Sequence, residues 1–162
     1  MASVSDPIHP LMTILHRCQQ IESAMARLYH DLAALHGHDP EIARLWEKTA
    51  KEEENHQLQF QLALSLGKDA IIDARVPIVR AEQALRSIRA YHDELRRQRP
   101  QVEDALRRMI AMEDELVDLH VSSVAVFTED RHRKLFAAMM AADKGHVAAL
   151  QAALSRVQAR RD

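Results

Sequence analysis

Apolar residues recur at every third or fourth position along two stretches in the first half of the chain. This is the spacing of an amphipathic helix. Asp6-Pro7 precedes the first stretch and predicts an N-cap followed by proline at the first helical position, and His36-Gly37 closes the helix. Asp39-Pro40 repeats the start signal, and the second stretch ends at Gly67. The short connection between them predicts an antiparallel helical hairpin.

The second half of the chain carries two more stripes of this kind. After Gly67, a stretch without a clear period leads to a shorter predicted helix over Val79–Arg97. Pro100 marks a third long helix whose apolar face continues to Val124, and a fourth helix follows a break near Thr128. Two hairpins joined by a long crossover that carries an extra shorter helix make an all-α, ferritin-like four-helix bundle. The predicted hairpins cover about 7–66 and 100–158, and the crossover covers about 67–99.

The composition supports an all-helical chain and excludes several other classes. The 162 residues include only 3 Gly, 5 Pro, 3 Phe, 2 Tyr and 1 Trp, too few for a β-sandwich or a doubly wound sheet. The length suits one domain over 1–162, and a formal net charge of -2 offers no basic excess for nucleic acid. The single cysteine, Cys18, excludes an internal disulfide. Without a signal peptide or a membrane-length apolar run, we expect a cytoplasmic protein with no membrane partner.

Every long helix of the predicted bundle places a carboxylate on its apolar face. In helices two and four a histidine follows three residues later, about one turn further along the same face. If the hairpins turn near residues 38 and 128, all four carboxylates lie roughly 23 Å from their turns and share one level of the bundle. The spacing also repeats, because 34 residues separate Glu22 from His56 and 33 separate Glu113 from His146. The set singled out in this way is Glu22, Glu53, His56, Glu113, Asp143 and His146.

Four buried carboxylates need compensation, because an uncompensated buried charge has a prohibitive desolvation cost. Two divalent cations supply the matching charge, and two neutral imidazoles complete a ligand set that suits iron, manganese or zinc. Any one of these residues taken alone is better explained as an ordinary polar side chain; only the matched register favours a dinuclear metal site. His120 lies on the same face as Glu113 and is expected to be a satisfied core histidine; the alternative is that it relays protons or hydrogen-bonds a ligand.

The chain resembles the ferritin-like superfamily, and within it the rubrerythrin-like diiron proteins, over nearly its whole length. The resemblance implies a non-haem diiron centre that reacts with hydrogen peroxide or O₂. It further implies that Glu53 and Asp143 bridge the two ions and that the other four ligands bind on the outside. The residues that carry the resemblance are Glu22, Tyr29, Glu53-Glu-Asn-His56, Ile-Ala-Met-Glu113 and Asp143-Lys-Gly-His146.

Three features depart from the rubrerythrin pattern. Leu116 stands where typical rubrerythrins carry a second glutamate of helix three, and Glu115 and Asp118 keep that spacing but lie off the apolar face. Helix four offers Asp143, which is one methylene shorter than the usual glutamate. No Cys-x-x-Cys pair is present, so the rubredoxin module is absent and an external donor such as a rubredoxin-like protein must supply electrons. The resemblance also implies a homodimer or larger assembly.

The leading interpretation is a rubrerythrin-like oxidoreductase that reduces hydrogen peroxide or oxidises Fe(II) with O₂ or peroxide. Iron is the favoured metal, although manganese and zinc accept the same ligands. The six ligands would act through the metals, with Tyr29 beside them. Two further interpretations stay open: a non-enzymatic metal-binding or iron-storage subunit, and a ferritin-like interaction module without metal.

Overall fold

Helices make up most of the chain in the computed structural model, which describes residues 9–142 and 145–160. The described helices lack the combination of length and apolar character that a membrane span requires. Because helices dominate the described residues, the predicted all-α class is confirmed in outline. The described residues also contain a small two-stranded sheet that the sequence pattern did not predict. In chain order the elements are α1 (Pro10–Leu35), α2 (Pro40–Leu66), β1 (Ile71–Ala74), α3 (Ile78–Arg97), α4 (Val102–Leu116), α5 (Val121–Val124), β2 (Ala125–Phe127), α6 (Asp130–Ala142) and α7 (His146–Ala159).

The first hairpin forms as its helix signals predict, except at the start of α1. Both α1 and α2 begin with proline, where a missing N–H costs nothing. The side chain of Asp39 caps α2 by accepting hydrogen bonds from two backbone N–H groups of its first turn. His9, rather than Asp6, lies at the N-cap of α1, and Asp6-Pro7 falls outside the described residues. The two helices pack along their length around side chains that include the fully buried Trp46.

The crossover helix α3 packs against α1. It begins one residue before the predicted Val79 and ends at Arg97 as predicted. Its apolar side chains recur with helical spacing and face the core, while its arginines face solvent. The buried residues of this face are Ala81, Leu85, Ile88, Tyr91 and Leu95.

The third long helix is shorter than predicted. It ends at Leu116, and a 3₁₀ turn then leads to His120, whose backbone is extended. The chain continues through the single turn of α5 into β2, which pairs antiparallel with β1. Valines and serines dominate residues 121–126, and these residue types favour strands and turns over helix interiors. The prediction that this helix continues to Val124 is wrong, because α4 ends at Leu116.

The fourth long helix is divided into α6 and α7 rather than continuous. Gly145, immediately before α7, has φ of 109°, a backbone conformation that glycine adopts without steric cost. Helix α7 packs against α4 and α2. As its first residue, His146 is therefore held where α2, α4 and α7 meet.

Candidate metal centre

Acidic and histidine side chains from four helices meet in the buried interior. α1 contributes Glu22, α2 contributes Glu53 and His56, α4 contributes Glu113 and α7 contributes His146. None of the five is more than 7% exposed. Charged residues are almost never buried to this extent unless they are paired or bind a metal, so the convergence is the feature to explain.

The first group of candidate ligand atoms comes from Glu22, His56 and His120. His56 Nδ1 lies 3.6 Å from Glu22 Oε2, and His120 Nδ1 lies 3.9 Å from Glu22 Oε1. The two imidazole rings meet edge to face, with their centroids 4.9 Å apart. The donor atoms of all three residues lie within 4.8 Å of one another, which is close enough for a single ion.

The second group comes from Glu53, Glu113 and His146. His146 Nε2 lies 3.2 Å from Glu113 Oε2 and 3.5 Å from Glu53 Oε1. These three residues also offer donor atoms within 4.8 Å of one another. Two donors bound to one ion at about 2.1 Å are separated by roughly 3.0–3.4 Å for angles between octahedral and tetrahedral. The observed separations are close to that range.

Glu53 belongs to the second group and also contacts the first. Its Oε2 is 3.1 Å from His56 Nδ1, while its Oε1 faces His146. Glu53 Oε1 and both ring nitrogens of His146 are buried without a hydrogen bond to any described residue. Buried polar atoms are rarely left in that state, and a bound cation would satisfy Glu53 Oε1 and His146 Nε2, the nitrogen that faces the carboxylates. The donor set and its spacing therefore fit a dinuclear metal site.

Two side chains support the ligands from outside the groups. The Tyr29 hydroxyl donates a hydrogen bond of 2.5 Å to Glu113 Oε1, which leaves Oε2 of the same carboxylate facing His146. On the far side of the imidazole, His146 Nδ1 lies 3.7 Å from Glu52 Oε2. A carboxylate behind the second nitrogen of a ligating histidine orients the ring and raises its basicity.

Burial and mutual repulsion shape the acidity of the carboxyl groups. Burial raises the pKa of Glu53 from 4.5 to about 7, and the nearby Glu22 charge acts in the same direction. Burial also raises the pKa of Glu113, with a contribution from the Glu53 charge. Both carboxyl groups therefore carry a cost for ionisation that a nearby cation would remove.

The histidines respond in the opposite way where carboxylates surround them. Burial lowers the pKa of His56, but Glu22 and Glu53 outweigh it and raise the value to about 11. In the same manner Glu113 and Glu53 outweigh burial at His146 and raise its pKa to about 9. Burial and the neighbouring His56 lower the pKa of His120. Without metal, two protons thus supply the positive charge that the carboxylates require.

The structure brings together five of the six residues that the sequence predicted as ligands. The sixth, Asp143, lies outside the described residues and stays a prediction. Neither Glu115 nor Asp118 takes the place of the absent carboxylate of helix three: both are exposed, and Asp118 pairs with Arg80 at 3.1 Å.

The sequence interpretation missed two residues of the site. His120 was expected to be a satisfied core histidine, yet its buried Nδ1 makes no hydrogen bond to the described residues. Its helical spacing from Glu113 is no guide to this position, because α4 ends at Leu116 and His120 is extended. Glu52 carries no local signal either, because its role depends on where α7 lies. Comparisons with protein-family models, with curated proteins and with solved structures give no match for this chain.

Proposed function

We propose that the chain is a ferritin-like, rubrerythrin-like protein with two iron ions that reduces hydrogen peroxide or oxidises Fe(II) with O₂ or peroxide. The position of Glu53 carries this proposal, because one carboxylate that contacts two Glu/His groups is the arrangement a bridging ligand requires. Carboxylates with imidazoles suit iron and manganese as well as zinc. Only a redox-active metal serves peroxide reduction.

The proposed ligand assignment follows the two groups. Glu22, His56 and His120 would hold one ion, while Glu113 and His146 would hold the other, with Glu53 shared between them. Asp143 is the predicted second bridging carboxylate.

Charge balance supports this assignment. Three fully buried carboxylates gather where only protonated histidines offer positive charge among the described residues. Two divalent cations would displace the protons of His56 and His146 and neutralise the carboxylates, including any further one supplied by Asp143. Metal binding would therefore relieve the cost of burial that raises the pKa of Glu53 and Glu113.

When bound, two ferrous ions supply the two electrons that convert hydrogen peroxide and two protons into two molecules of water. The chain itself provides a site shielded from solvent and a place for those protons. The Tyr29 hydroxyl, whose oxygen lies 2.5 Å from Glu113 Oε1, holds one proton next to that carboxylate. Glu52, whose side chain is 18% exposed, connects His146 Nδ1 with the surface.

The test is to load the apo-protein anaerobically with Fe(II), add hydrogen peroxide and follow peroxide loss. We expect consumption faster than with the same concentration of free Fe(II), and a loss of that advantage in Glu53→Gln. Glu54→Gln is the matched control, because it makes the same change one residue along α2 at a half-exposed side chain. Peroxide loss no faster than with free Fe(II) would overturn the enzymatic proposal. Loading far beyond two ions per chain would favour storage.

A further inference from the structure

A recess of about 390 Å³ opens on the surface between α1 and α3. Ala24 and Ile88, which form part of its lining, are buried and give it an apolar floor. The rest of the lining is polar and consists of Arg27, Arg89, His92, Asp93 and Arg96. Small-molecule sites commonly have volumes of about 300–1,000 Å³ and combine apolar walls with a few convergent polar groups. The α1–α3 recess therefore has the size and composition of a ligand site.

The recess lies on a different face of α1 from the candidate metal centre. Ala24 follows Glu22 by two residues, which corresponds to about 200° around the helix axis. Glu22 contacts His56 of α2, whereas Ala24 and Arg27 line the space next to α3. A ligand in this recess would contact none of the five described residues of the metal centre, so the inference goes beyond the proposed function and does not depend on it.

A contact between the two helices fixes the walls of the recess. His92 Nε2 of α3 lies 2.7 Å from Asp31 Oδ2 of α1. The two helices run parallel, because residue numbers increase together along both of them from one recess to the next. Arg27 precedes Asp31 by four residues and Arg89 precedes His92 by three, which is about one helical turn in each case. The two arginines therefore lie at one level on opposite walls.

The lining of the recess is positively charged, although the chain has a formal net charge of -2. Three arginines and one aspartate line it, which gives a net charge of +2 with His92 neutral. Among the described residues, neither Arg27 nor Arg89 forms a salt bridge or a hydrogen bond, and Arg96 lies 4.0 Å from Asp93. Guanidinium groups bind the oxygens of phosphates and carboxylates through two parallel hydrogen bonds. The recess thus offers uncommitted donors to an anion.

A second recess, of about 450 Å³, continues the groove towards the C-terminal ends of both helices. Its lining is formed by Asp31, Ala34, Leu35, Leu95 and Arg96. Three of these side chains are apolar, and Arg96 lines both recesses. The groove is therefore basic at one end and partly apolar at the other, which suits a ligand with an anionic group and an organic part.

We propose that the α1–α3 recess binds the phosphate group of a small organic phosphomonoester. Arg27 and Arg89 would bind the phosphate oxygens from opposite walls, and the organic part would extend past Arg96 into the second recess. A phosphomonoester carries a charge of about −1.5 to −2 at neutral pH, which matches the charge of the lining. A single carboxylate would balance only half of that charge.

Titration calorimetry of the metal-free full-length chain with phenyl phosphate and with inorganic phosphate tests this proposal. Removing metal first prevents phosphate from binding to an ion at the metal centre. We expect both compounds to bind with one site per chain, and phenyl phosphate to bind at least about threefold more tightly because its ring buries apolar surface of Leu35 and Leu95. Equal affinities would overturn the assignment of an organic ligand. No saturable binding of either compound up to about 10 mM would overturn the whole proposal.

Four variants separate a built site from general attraction of anions. Arg27→Gln and Arg89→Gln should each weaken the binding of phenyl phosphate about 10-fold, because each removes charge-assisted hydrogen bonds. Asp93→Asn should strengthen binding, because it removes the negative charge from the lining. The control Arg44→Gln makes the same change at an exposed arginine of α2 and should leave the affinity unchanged.

An equal loss of affinity in Arg44→Gln, or an unchanged affinity in both recess variants, would overturn the proposal. Arg27 and Arg89 are exposed, so their replacement leaves the core intact. The methyl resonances of Ile88 report the place of binding independently of the variants. They should shift on addition of phenyl phosphate to the parent protein, and resonances that stay unchanged at saturation would also contradict the proposal.

Discussion

Replacing Glu53 with glutamine should stabilise the metal-free protein while destroying its metal site. The side chain is 1% exposed and its pKa is raised from 4.5 to about 7, so its ionised form is disfavoured in the fold. One pKa unit corresponds to about 1.4 kcal/mol, and ionised Glu53 therefore costs the apo-protein about 3 kcal/mol at pH 8. Glutamine has nearly the shape of the neutral acid and avoids that cost.

The sign of the pH dependence follows from the direction of the shift. Because the folded pKa lies above the unfolded value, the cost develops as pH rises through about 4.5 to 7 and is nearly absent below that window. The advantage of Glu53→Gln should be about 3 kcal/mol at pH 8 and below about 1 kcal/mol at pH 5. For a chain of this length, the larger value corresponds to roughly 6–12 °C in Tm.

Urea unfolding with a chelator present, at pH 8 and at pH 5, measures this effect. Glu54→Gln is the control, because Glu54 is half-exposed and pairs with the surface residue His30 at 2.8 Å. Its change should stay within about 0.5 kcal/mol at both pH values. An apo Glu53→Gln protein that is less stable than the parent at pH 8, or equally stabilised at both pH values, would refute the argument from burial.

Four further predictions concern the metal site. Metal binding at pH 8 should release about two protons, because the raised pKa of His56 (about 11) and His146 (about 9) keeps both protonated in the apo-protein. Titration calorimetry in buffers of different ionisation enthalpy counts the released protons, and the absence of any release would contradict this prediction. For the same reason the apo-protein should lose stability as pH rises from about 6.5 to about 9 through His146 and on to about 11 through His56, whereas the metal-loaded protein should not. Glu52→Gln should weaken metal affinity by about 10- to 100-fold without changing the number of bound ions, because it removes the carboxylate behind His146. Competition with a chromogenic chelator measures the affinity, and an unchanged affinity would show that Glu52 does not support His146. His120→Ala should lower the metal content towards one ion per chain, because it removes one ligand of the Glu22 group only; elemental analysis that still finds two would exclude His120 as a ligand.

Local signals in the sequence predicted the first hairpin, because everything that determines it is local. Pro40 after the capping Asp39, a helical stripe and Gly67 at the end define α2 without reference to the rest of the fold. The end of α4 is different, because apolar residues keep helical spacing beyond Leu116. The pairing of β2 with β1, about 50 residues away in the chain, decides that segment.

The same distinction separates the site residues that were predicted from those that were missed. Glu53 and His56 share one helix face, so their proximity follows from helix geometry. His120 approaches Glu22 only because the chain leaves the helix after Leu116. Glu52 lies off the apolar face of α2 and gains its contact from the position of α7. Contacts that depend on breaks in helices cannot be found from helical periodicity.

The central claim is that the two Glu/His groups together hold two metal ions. Elemental analysis after anaerobic loading with Fe(II) and desalting tests this claim most directly. We predict about two ions per chain in the parent and in Glu54→Gln, with loss of metal in the double variant Glu53→Ala, Glu113→Ala. A parent protein that retains no metal, or a double variant that retains the full content, would contradict the account.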